Sequence, residues 1–426
     1  MLEIQKRLTH SFYAFLSLPA TAMGFALCVQ ISALSWILST QYSLDIHEVG
    51  IVWAAGPIAG IIGQVLVGII SDKVWFWGGR RRPFILIGGT IAAASLLALT
   101  QLGAISTVTG ISLLAVAIIV ALTLDLSINI SFNPTRSIIA DVTPEGDERT
   151  KGYTWMQTVS GMFGVLAYAI GAYFGNYTLI YFGIALVFLF SVIPTFFLTE
   201  PRQLANTDTT EKEKSIKQTQ LNQLYRIYLA HGFCWLGVQT MFVYMFFYVK
   251  ESMGISSDEE AGQIVSLSFL VLNTVGFILP AILLEPLAKK MGRVKVHVFA
   301  IAAMAIGYLL ITLLGGSVLW VYIFMGIVGI GWAATVSLPF AIMTEKVDKS
   351  KMGLFMGIFN LSVVIPQLIV SLGFGTFIQN AANKNIIFII CTVCLAISTI
   401  LWSLVKEDTI ADAQTKNRNQ QSVSSH

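Results

Sequence analysis

The chain has 426 residues, of which 55% are hydrophobic and only 12% are charged. Soluble domains carry about twice that share of charged residues, and the mean hydropathy is +0.75. This composition excludes a water-soluble fold, a disordered protein, a disulfide-rich secreted scaffold and a nucleic-acid-binding protein. We therefore expect an all-α membrane protein with the lipid bilayer as its surroundings.

Apolar runs recur along the whole chain, and many are long enough to cross a bilayer, which takes about 20 mostly apolar residues in a helix. In chain order, the predicted spans are 12–38, 48–71, 83–102, 108–138, 152–175, 178–198, 222–249, 260–285, 296–314, 317–343, 352–378 and 384–405. The sequence thus predicts twelve transmembrane helices, with both termini on the same side.

The positions of the basic residues predict which side this is, because cytoplasmic loops are enriched in Lys and Arg. With the N-terminus in the cytoplasm, 24 of the 26 basic residues lie on the cytoplasmic side, and only Lys250 and Lys384 lie outside. We therefore predict that both termini are cytoplasmic. The short outside loops favour the cytoplasmic (inner) membrane of a bacterium.

A polar stretch, 199–221, separates two sets of six predicted spans. We expect an N-terminal six-helix half at 1–198, a cytoplasmic linker at 199–221, a C-terminal six-helix half at 222–405 and a disordered cytoplasmic tail at 406–426.

The two halves repeat each other at their predicted cytoplasmic helix ends. Asp72 precedes Gly79 by seven residues, and Glu285 precedes Gly292 by the same number. In both cases an acidic residue is followed by a tight turn and a basic cluster. We predict that such charges hold the cytoplasmic side shut in one state, the alternative being that the basic residues only set the orientation. The candidate gating residues are Asp72, Arg80, Arg81, Asp141, Glu285, Arg293 and Glu345.

Asp125 is the clearest ionisable residue at membrane depth, about seventeen residues into the fourth predicted span. On a helix, Asn129, Asn133 and Arg136 lie about 40°, 80° and 20° around the axis from it. Such a polar stripe is costly in lipid, so we expect it to line a water-filled path. The alternative is a structural ion pair or a buried hydrogen-bond network.

A carboxyl group at low dielectric is favoured in its neutral form, so Asp125 is predicted to bind and release the coupling proton. The predicted substrate ligands are Asp125, Asn129, Asn133, Arg136, Gln64, Gln157, Gln239, Asn273 and Asn360. The sequence contains no nucleotide-binding loop, no Ser/His/Asp arrangement and no metal-ligand cluster in a polar context. We therefore expect no enzyme activity and no cofactor besides the proton.

Several motifs resemble those of sucrose–proton symporters, a family of major-facilitator transporters in plants with related animal and bacterial members. From Trp53 the chain reads W-A-A-G-P-I-A-G-I-I-G-Q-V-L-V-G-I-I-S-D and then G-G-R-R-R-P-F-I. The segment Gly24-Phe25-Ala26-Leu27 is similar to the family's G-W-A-L. The fourth span, with Leu124-Asp125, Asn129, Pro134-x-Arg136 and Ala140-Asp141, resembles L-D…N…P-x-R…A-D. The resemblance covers roughly residues 20–175.

This resemblance implies a major-facilitator fold and a sugar substrate, with the coupled proton on Asp125 and a sugar contact from Arg136. Plant members carry aspartates near the outer end of the seventh span, whereas residues 243–251 contain none. Because of this departure, the resemblance implies a wider substrate class than sucrose itself, namely a disaccharide or another glucoside of the sucrose or maltose kind.

We accordingly expect a monomeric secondary active transporter that imports a sugar by proton symport with alternating access. Three alternatives remain open from the sequence. One is a proton-antiport exporter of small amphipathic compounds on the same fold. Another is a non-transporting sugar sensor, and a third is a uniporter in which Asp125 never titrates.

Overall fold

The computed structural model describes residues 7–63, 74–144, 146–200, 219–347 and 352–407, which form a helical bundle. We number its long helices α1 His10–Thr40, α2 Ile46–Gly63, α3 Arg82–Leu99, α4 Leu113–Val142, α5 Asp147–Phe174, α6 Asn176–Phe197, α7 Leu221–Ser252, α8 Asp258–Leu279, α9 Arg293–Leu314, α10 Val318–Thr344, α11 Met352–Ile369 and α12 Ile386–Ser403. A π-helical turn at Pro280–Leu284 extends α8 into Glu285–Met291, and another at Val370–Phe374 extends α11 into Gly375–Asn380.

Eleven helices in the described part of the chain are long and apolar enough to cross a membrane. The prediction of an all-helical membrane protein is therefore confirmed. The eleven do not include α5, which is 28 residues long but rich in glycine, tyrosine and polar residues. Its crossing of the membrane stays a prediction.

Two predicted boundaries differ from the structure for local reasons. The fourth span begins at Leu113 instead of 108, because Leu102–Thr109 forms a separate short helix. Gly110 ends that helix with φ +73°, a backbone conformation that glycine adopts without strain. The eighth span was predicted to end at 285, but the helix continues to Met291, since the π-helical turn accommodates the extra residues without breaking it.

The same helix pairings recur in the first six and the last six helices. In the first set, α1 packs on α5 and α6, and α3 packs on α4 and α6; in the second set, α7 packs on α11 and α12, and α9 on α10 and α12. The two sets meet where α5 packs on α8, α2 on α11 and α1 on α8. The repeat seen in the sequence therefore extends to the three-dimensional packing.

One end of the bundle is closed by hydrogen bonds between the two sets. The Ser32 and Ser266 hydroxyls are 2.6 Å apart, and the Trp36 indole nitrogen donates to the Asp258 carbonyl at 2.8 Å. We call this the outer end, because the charge distribution predicts that it faces away from the cytoplasm. The opposite end, which holds Arg81 and Arg293, is called the inner end.

Close packing of α2 on the second set completes this closure. A Cβ atom on Gly50 would lie only 2.6 Å from both the Tyr244 hydroxyl oxygen and the Ser371 carbonyl oxygen, so only glycine fits there. Nearby, the His47 backbone N–H donates to Oε1 of Gln379 at 3.0 Å. In this conformation, the two sets are therefore in close contact at the outer end.

Candidate functional site

The carboxylate of Asp125 is enclosed where α1, α2 and α4 meet. Asp125 is only 4% exposed, and its Oδ2 accepts a 2.9 Å hydrogen bond from Nε2 of Gln30 on α1. On the other side, a Cβ on Gly56 of α2 would lie 3.6 Å from both carboxylate oxygens. The carboxylate is thus surrounded by protein here, whereas the sequence predicted that it lines a water-filled path.

Asn129 continues the contact with α2 one turn further along α4. Its side-chain amide donates to the backbone carbonyl of Asp125 at 2.8 Å, and a Cβ on Gly63 would lie 2.8 Å from the Asn129 Cβ. The glycines of α2 therefore allow this helix to approach the polar stripe closely.

The stripe becomes more open toward the inner end. Asn133 is half-buried, and Arg136 is exposed. The guanidinium carbon of Arg136 lies 4.2 Å from the centre of the Phe132 ring, a cation–π contact that positions the charge. The four predicted residues of α4 thus lead from an enclosed carboxylate to an exposed cation.

The remaining amides predicted in the first set have different outcomes. Gln157 is exposed on α5. Gln64 lies outside the described residues. The places of Gln157 and Gln64 in the site therefore stay predictions.

In the second set, the predicted amides lie on helices that pack against one another. Gln239 of α7 is 3% exposed and accepts a 3.3 Å hydrogen bond from Gln367 of α11. Asn273 of α8 is partly buried and donates to the Phe269 carbonyl at 2.9 Å. Asn360 of α11 is half-buried. The structure thus pairs Gln239 with Gln367, and Asn273 also forms a side-chain hydrogen bond with Tyr168 of α5.

Aromatic rings accompany Gln239 on α7. Trp235 and Phe242 both lie against Trp332 of α10, with ring centres 6.2 and 5.4 Å apart and nearly perpendicular planes. Because Trp235, Gln239 and Phe242 are spaced by four and three residues, they follow one face of the helix. An amide is therefore flanked by apolar rings in the second set.

Among the residues that the structure describes, two pairs of the predicted gating charges form within a set. Nε of Arg81 lies 3.1 Å from Oδ2 of Asp141, with both side chains about nine-tenths buried. In the second set, Arg293 pairs with Glu345. Both pairs lie within one set in this conformation, so the role of these charges in holding the cytoplasmic side shut in another state stays a prediction.

The other candidate gating residues have local partners or fall outside the description. The exposed Glu285 accepts a 2.7 Å hydrogen bond from Lys289 one turn along its own helix. The backbone N–H of Arg80 donates to Glu200 at 2.8 Å. Asp72 lies outside the described residues, so its gating role stays a prediction.

Two carboxylates that the sequence analysis did not select hold the inner ends of α3 and α9. Glu200 accepts hydrogen bonds from the backbone N–H groups of Arg80, Arg81 and Arg82. Glu407 does the same for Arg293 and Val294, both at 2.8 Å. Each follows the last helix of its set, and this matching position was the signal that could have identified them.

Gln30 is the other residue that the sequence analysis missed. It is an amide in the middle of the first apolar run, and it is 4% exposed. A mid-membrane amide needs a hydrogen-bond partner, and Asp125 is the nearby acidic group that requires a donor. The pairing joins residues 95 positions apart, so periodicity within one helix could not identify it.

These features define a class: a polytopic helical membrane protein with two similar six-helix sets and a polar centre enclosed between helices. The chain belongs to the Major Facilitator Superfamily, whose sequence profile matches residues 14–371. It is therefore a membrane transporter by family, and the expectation that it is not an enzyme is confirmed.

Among characterised relatives, the chain is related to plant sucrose transporters. It is 28% identical over 432 residues to sucrose transport protein SUT2 of Oryza sativa subsp. indica, covering 83% of this chain and 85% of the relative. It is 27% identical over 427 residues to sucrose transport protein SUC4 of Arabidopsis thaliana, covering 83% and 82%. The recognised resemblance to this family is thus confirmed.

A shorter match links the chain to the general alpha-glucoside permease of Schizosaccharomyces pombe, with 28% identity over 174 residues, covering 36% of this chain and 31% of the permease. These relatives come from plants and yeast, and they do not support the expectation of a bacterial membrane.

Solved structures agree on the fold. A D-xylose–proton symporter superposes with a TM-score of 0.70 at 17% identity, covering 93% of this chain and 98% of that one. The inward open conformation of the xylose transporter XylE from E. coli gives 0.67 at 15% identity, covering 94% and 97%. At these identities the comparison concerns the fold alone, which is the major-facilitator fold expected from the sequence.

Proposed function

We propose that this protein imports a sugar, either a disaccharide or another glucoside, together with protons by alternating access. The observation that carries the proposal is the enclosed Asp125–Gln30 pair, placed at one end of a stripe that reaches the exposed Arg136. The relationship to plant sucrose transporters supports a sugar as the substrate class.

Asp125 is the proton-binding group in this proposal. The enclosed, low-dielectric position disfavours a bare carboxylate charge, and the amide of Gln30 supplies a hydrogen bond when the charge is present. The side chain can therefore exist in both protonation states at this site, as a coupling residue must.

The sugar binds between the two sets of helices. Arg136, Asn129 and Asn133 provide hydrogen-bond donors and acceptors from α4, and Gln64 and Gln157 extend this side of the site. On the other side, Gln239, Asn273 and Asn360 contribute amides from the second set. Apolar rings such as Trp235 and Trp332 suit the C–H faces of a pyranose, whereas the amides suit its hydroxyl groups.

In the conformational cycle, the two sets of helices move against each other as an N-terminal half, 1–198, and a C-terminal half, 222–405. A cytoplasmic linker at 199–221 joins the halves, and the tail at 406–426 follows the second. We place twelve spans in the bilayer, with α5 as a span and both termini in the cytoplasm. The hydrogen bonds that close the outer end then belong to the state that communicates with the cytoplasm. In the opposite state, the cytoplasmic side is held shut by the gating residues Asp72, Arg80, Arg81, Asp141, Glu285, Arg293 and Glu345. The transporting unit is a monomer.

The test is uptake of labelled sucrose, maltose and glucose into proteoliposomes, with and without an inward proton gradient. We expect one sugar to accumulate against its gradient only when the proton gradient is present. Flux without accumulation would point to a uniporter, and sugar binding without flux to a sensor. Dissipation of the gradient by an outward-moving amphipathic compound would instead support an exporter.

A further inference from the structure

A second pocket lies on the outer surface of the first set, apart from the junction that encloses Asp125. It has a volume of about 350 Å³ and lies at the inner end, between the start of α3 and the end of α6. Its lining consists of Trp77, Arg82, Pro83, Leu86, Thr195 and Phe196.

Two large aromatic side chains form the rim of this pocket. Trp77 and Phe196 are each 68% exposed. Trp77 has a left-handed backbone with φ +47°, in a tight turn closed by two hydrogen bonds between Phe76 and Gly79. The fold therefore holds a tryptophan outward at a helix end, a position that tryptophan favours at the boundary between lipid tails and headgroups.

The polar group of the pocket is the guanidinium of Arg82. Its Nε donates to the Thr195 carbonyl, and its Nη1 donates to the Gly78 carbonyl at 3.2 Å. These two bonds fix the side chain and leave three of its five N–H donors for a ligand. No carboxylate among the described residues forms a salt bridge with this guanidinium, so its positive charge is available to an anion.

The nearby helix terminus does not compete for that anion. The backbone N–H groups at the start of α3 already donate to the Glu200 carboxylate, including that of Arg82 at 2.7 Å. A ligand in the pocket therefore meets the Arg82 side chain, the apolar surface of Leu86 and Pro83, and the two aromatic rims.

We propose that this pocket binds the phosphate of an anionic phospholipid, with Arg82 holding the phosphate and Leu86 and Phe196 packing against the start of the acyl chains. A planar guanidinium matches two phosphate oxygens at once. The predicted orientation places the pocket at the cytoplasmic leaflet, whose anionic lipids attract basic residues near the surface. The site is independent of the proposed sugar transport.

The experiment titrates the purified, delipidated full-length protein with phosphatidylglycerol or phosphatidylcholine and measures lipid binding by native mass spectrometry. We expect Arg82→Gln to weaken phosphatidylglycerol binding at least about tenfold, since a charge-assisted hydrogen bond contributes at least that much. The matched control is Lys151→Gln, which removes the same charge from an exposed side chain at the inner end and leaves this affinity unchanged.

A second measurement does not depend on the folding of the Arg82 variant. Quenching of tryptophan fluorescence by brominated phosphatidylglycerol should fall when Trp77→Phe is introduced, and brominated phosphatidylcholine should show no such difference. The proposal would be overturned if wild type and Arg82→Gln bound phosphatidylglycerol with equal affinity. It would also be overturned if the wild type bound phosphatidylcholine as tightly as phosphatidylglycerol. Binding of inorganic phosphate that depends on Arg82, without lipid binding, would likewise replace it with a free-anion site.

Discussion

The side-chain amide of Gln30 donates a 2.9 Å hydrogen bond to Oδ2 of Asp125, and both residues are only 4% exposed. The two side chains come from different helices, α1 and α4. A change in the charge of Asp125 is therefore felt directly by a second helix. This is the kind of link that proton coupling requires, because protonation must bias how helices pack.

Replacement of Asp125 by Asn tests proton coupling. We expect Asp125→Asn to abolish sugar accumulation driven by a proton gradient, because the amide cannot carry the proton. Exchange of internal for external sugar should survive, since it needs no net proton movement. Proteoliposome uptake and counterflow measure the two activities, with the exposed Asp147→Asn as a control that retains both. Loss of counterflow together with accumulation would assign Asp125 to sugar binding alone.

Replacement of Gln30 by Leu tests its role as a positioning residue. Without this donor, the Asp125 carboxylate anion loses a hydrogen bond that stabilises it by about 1.5–3 kcal/mol. The anion then forms only at higher pH, so we expect the pH of half-maximal uptake to rise by about one to two units. The exposed Gln101→Leu should leave the profile in place. A lower uptake rate at every pH with an unchanged profile would indicate a purely structural role.

Addition of one methyl group at Gly50 tests whether the closed outer end is part of the transport cycle. A Cβ at Gly50 would meet the Tyr244 hydroxyl and the Ser371 carbonyl at 2.6 Å, whereas one at Gly60 on the same helix would meet nothing within 4 Å. We therefore expect Gly50→Ala to slow uptake strongly and Gly60→Ala to leave it unchanged. Reduced alkylation of a cysteine introduced at the exposed Gln157 should report the loss of the inward-accessible state. Normal uptake by Gly50→Ala would show that the contact is not required.

The two carboxylates at the inner helix ends should contribute equally to stability. Glu200→Gln and Glu407→Gln each lose the negative charge that interacts with several backbone N–H groups at a helix N-terminus. Each should destabilise the protein by about 1 kcal/mol. Thermal unfolding of the purified protein measures this, and Glu285→Gln, an exposed acid paired within its own turn, should leave Tm nearly unchanged. A marked effect from only one of the two glutamates would argue against equivalent roles in the two sets.

His297 offers a substitution that should stabilise the protein. Its side chain is fully buried, and neither ring nitrogen has a hydrogen-bond partner among the described residues. Because an unsatisfied buried polar group costs about 1–3 kcal/mol, His297→Leu is expected to raise Tm. The comparison variant is His231→Leu. Its Nδ1 also has no partner among the described residues, but Nε2 accepts a 3.0 Å hydrogen bond from Trp235, so this variant should raise Tm less than His297→Leu. A lower Tm for His297→Leu would mean that its imidazole contributes an interaction of its own.

The sequence located much of this architecture because the signals involved are local. The length of an apolar run determines whether a helix can cross a bilayer, and the helical period placed Asp125, Asn129 and Arg136 on one stripe. The spacing from Asp72 to Gly79, matched by that from Glu285 to Gly292, marked the repeat that the helix packing also follows. The family resemblance came from segments of the same local kind.

Other features depended on how distant helices meet. Arg81 pairs with Asp141 and Arg293 with Glu345, so the charges hold each set together in this conformation. The charges in a loop show which residues could form ion pairs, but the sequence is equally consistent with several different pairings. Glu200 and Glu407 are ordinary polar residues in the sequence, and only the folded chain brings them to the N-termini of α3 and α9.

The sequence by itself thus determined a helical membrane transporter of a known superfamily and a carboxylate within a predicted span. Only the tertiary structure decided that Gln30 is the partner of this carboxylate, that Gly56 encloses it, and that the outer end is closed around Gly50. The physical reason is that hydrophobicity and helical period are properties of neighbouring residues. Hydrogen bonds and close backbone approaches between helices depend instead on the relative positions of segments tens to hundreds of residues apart.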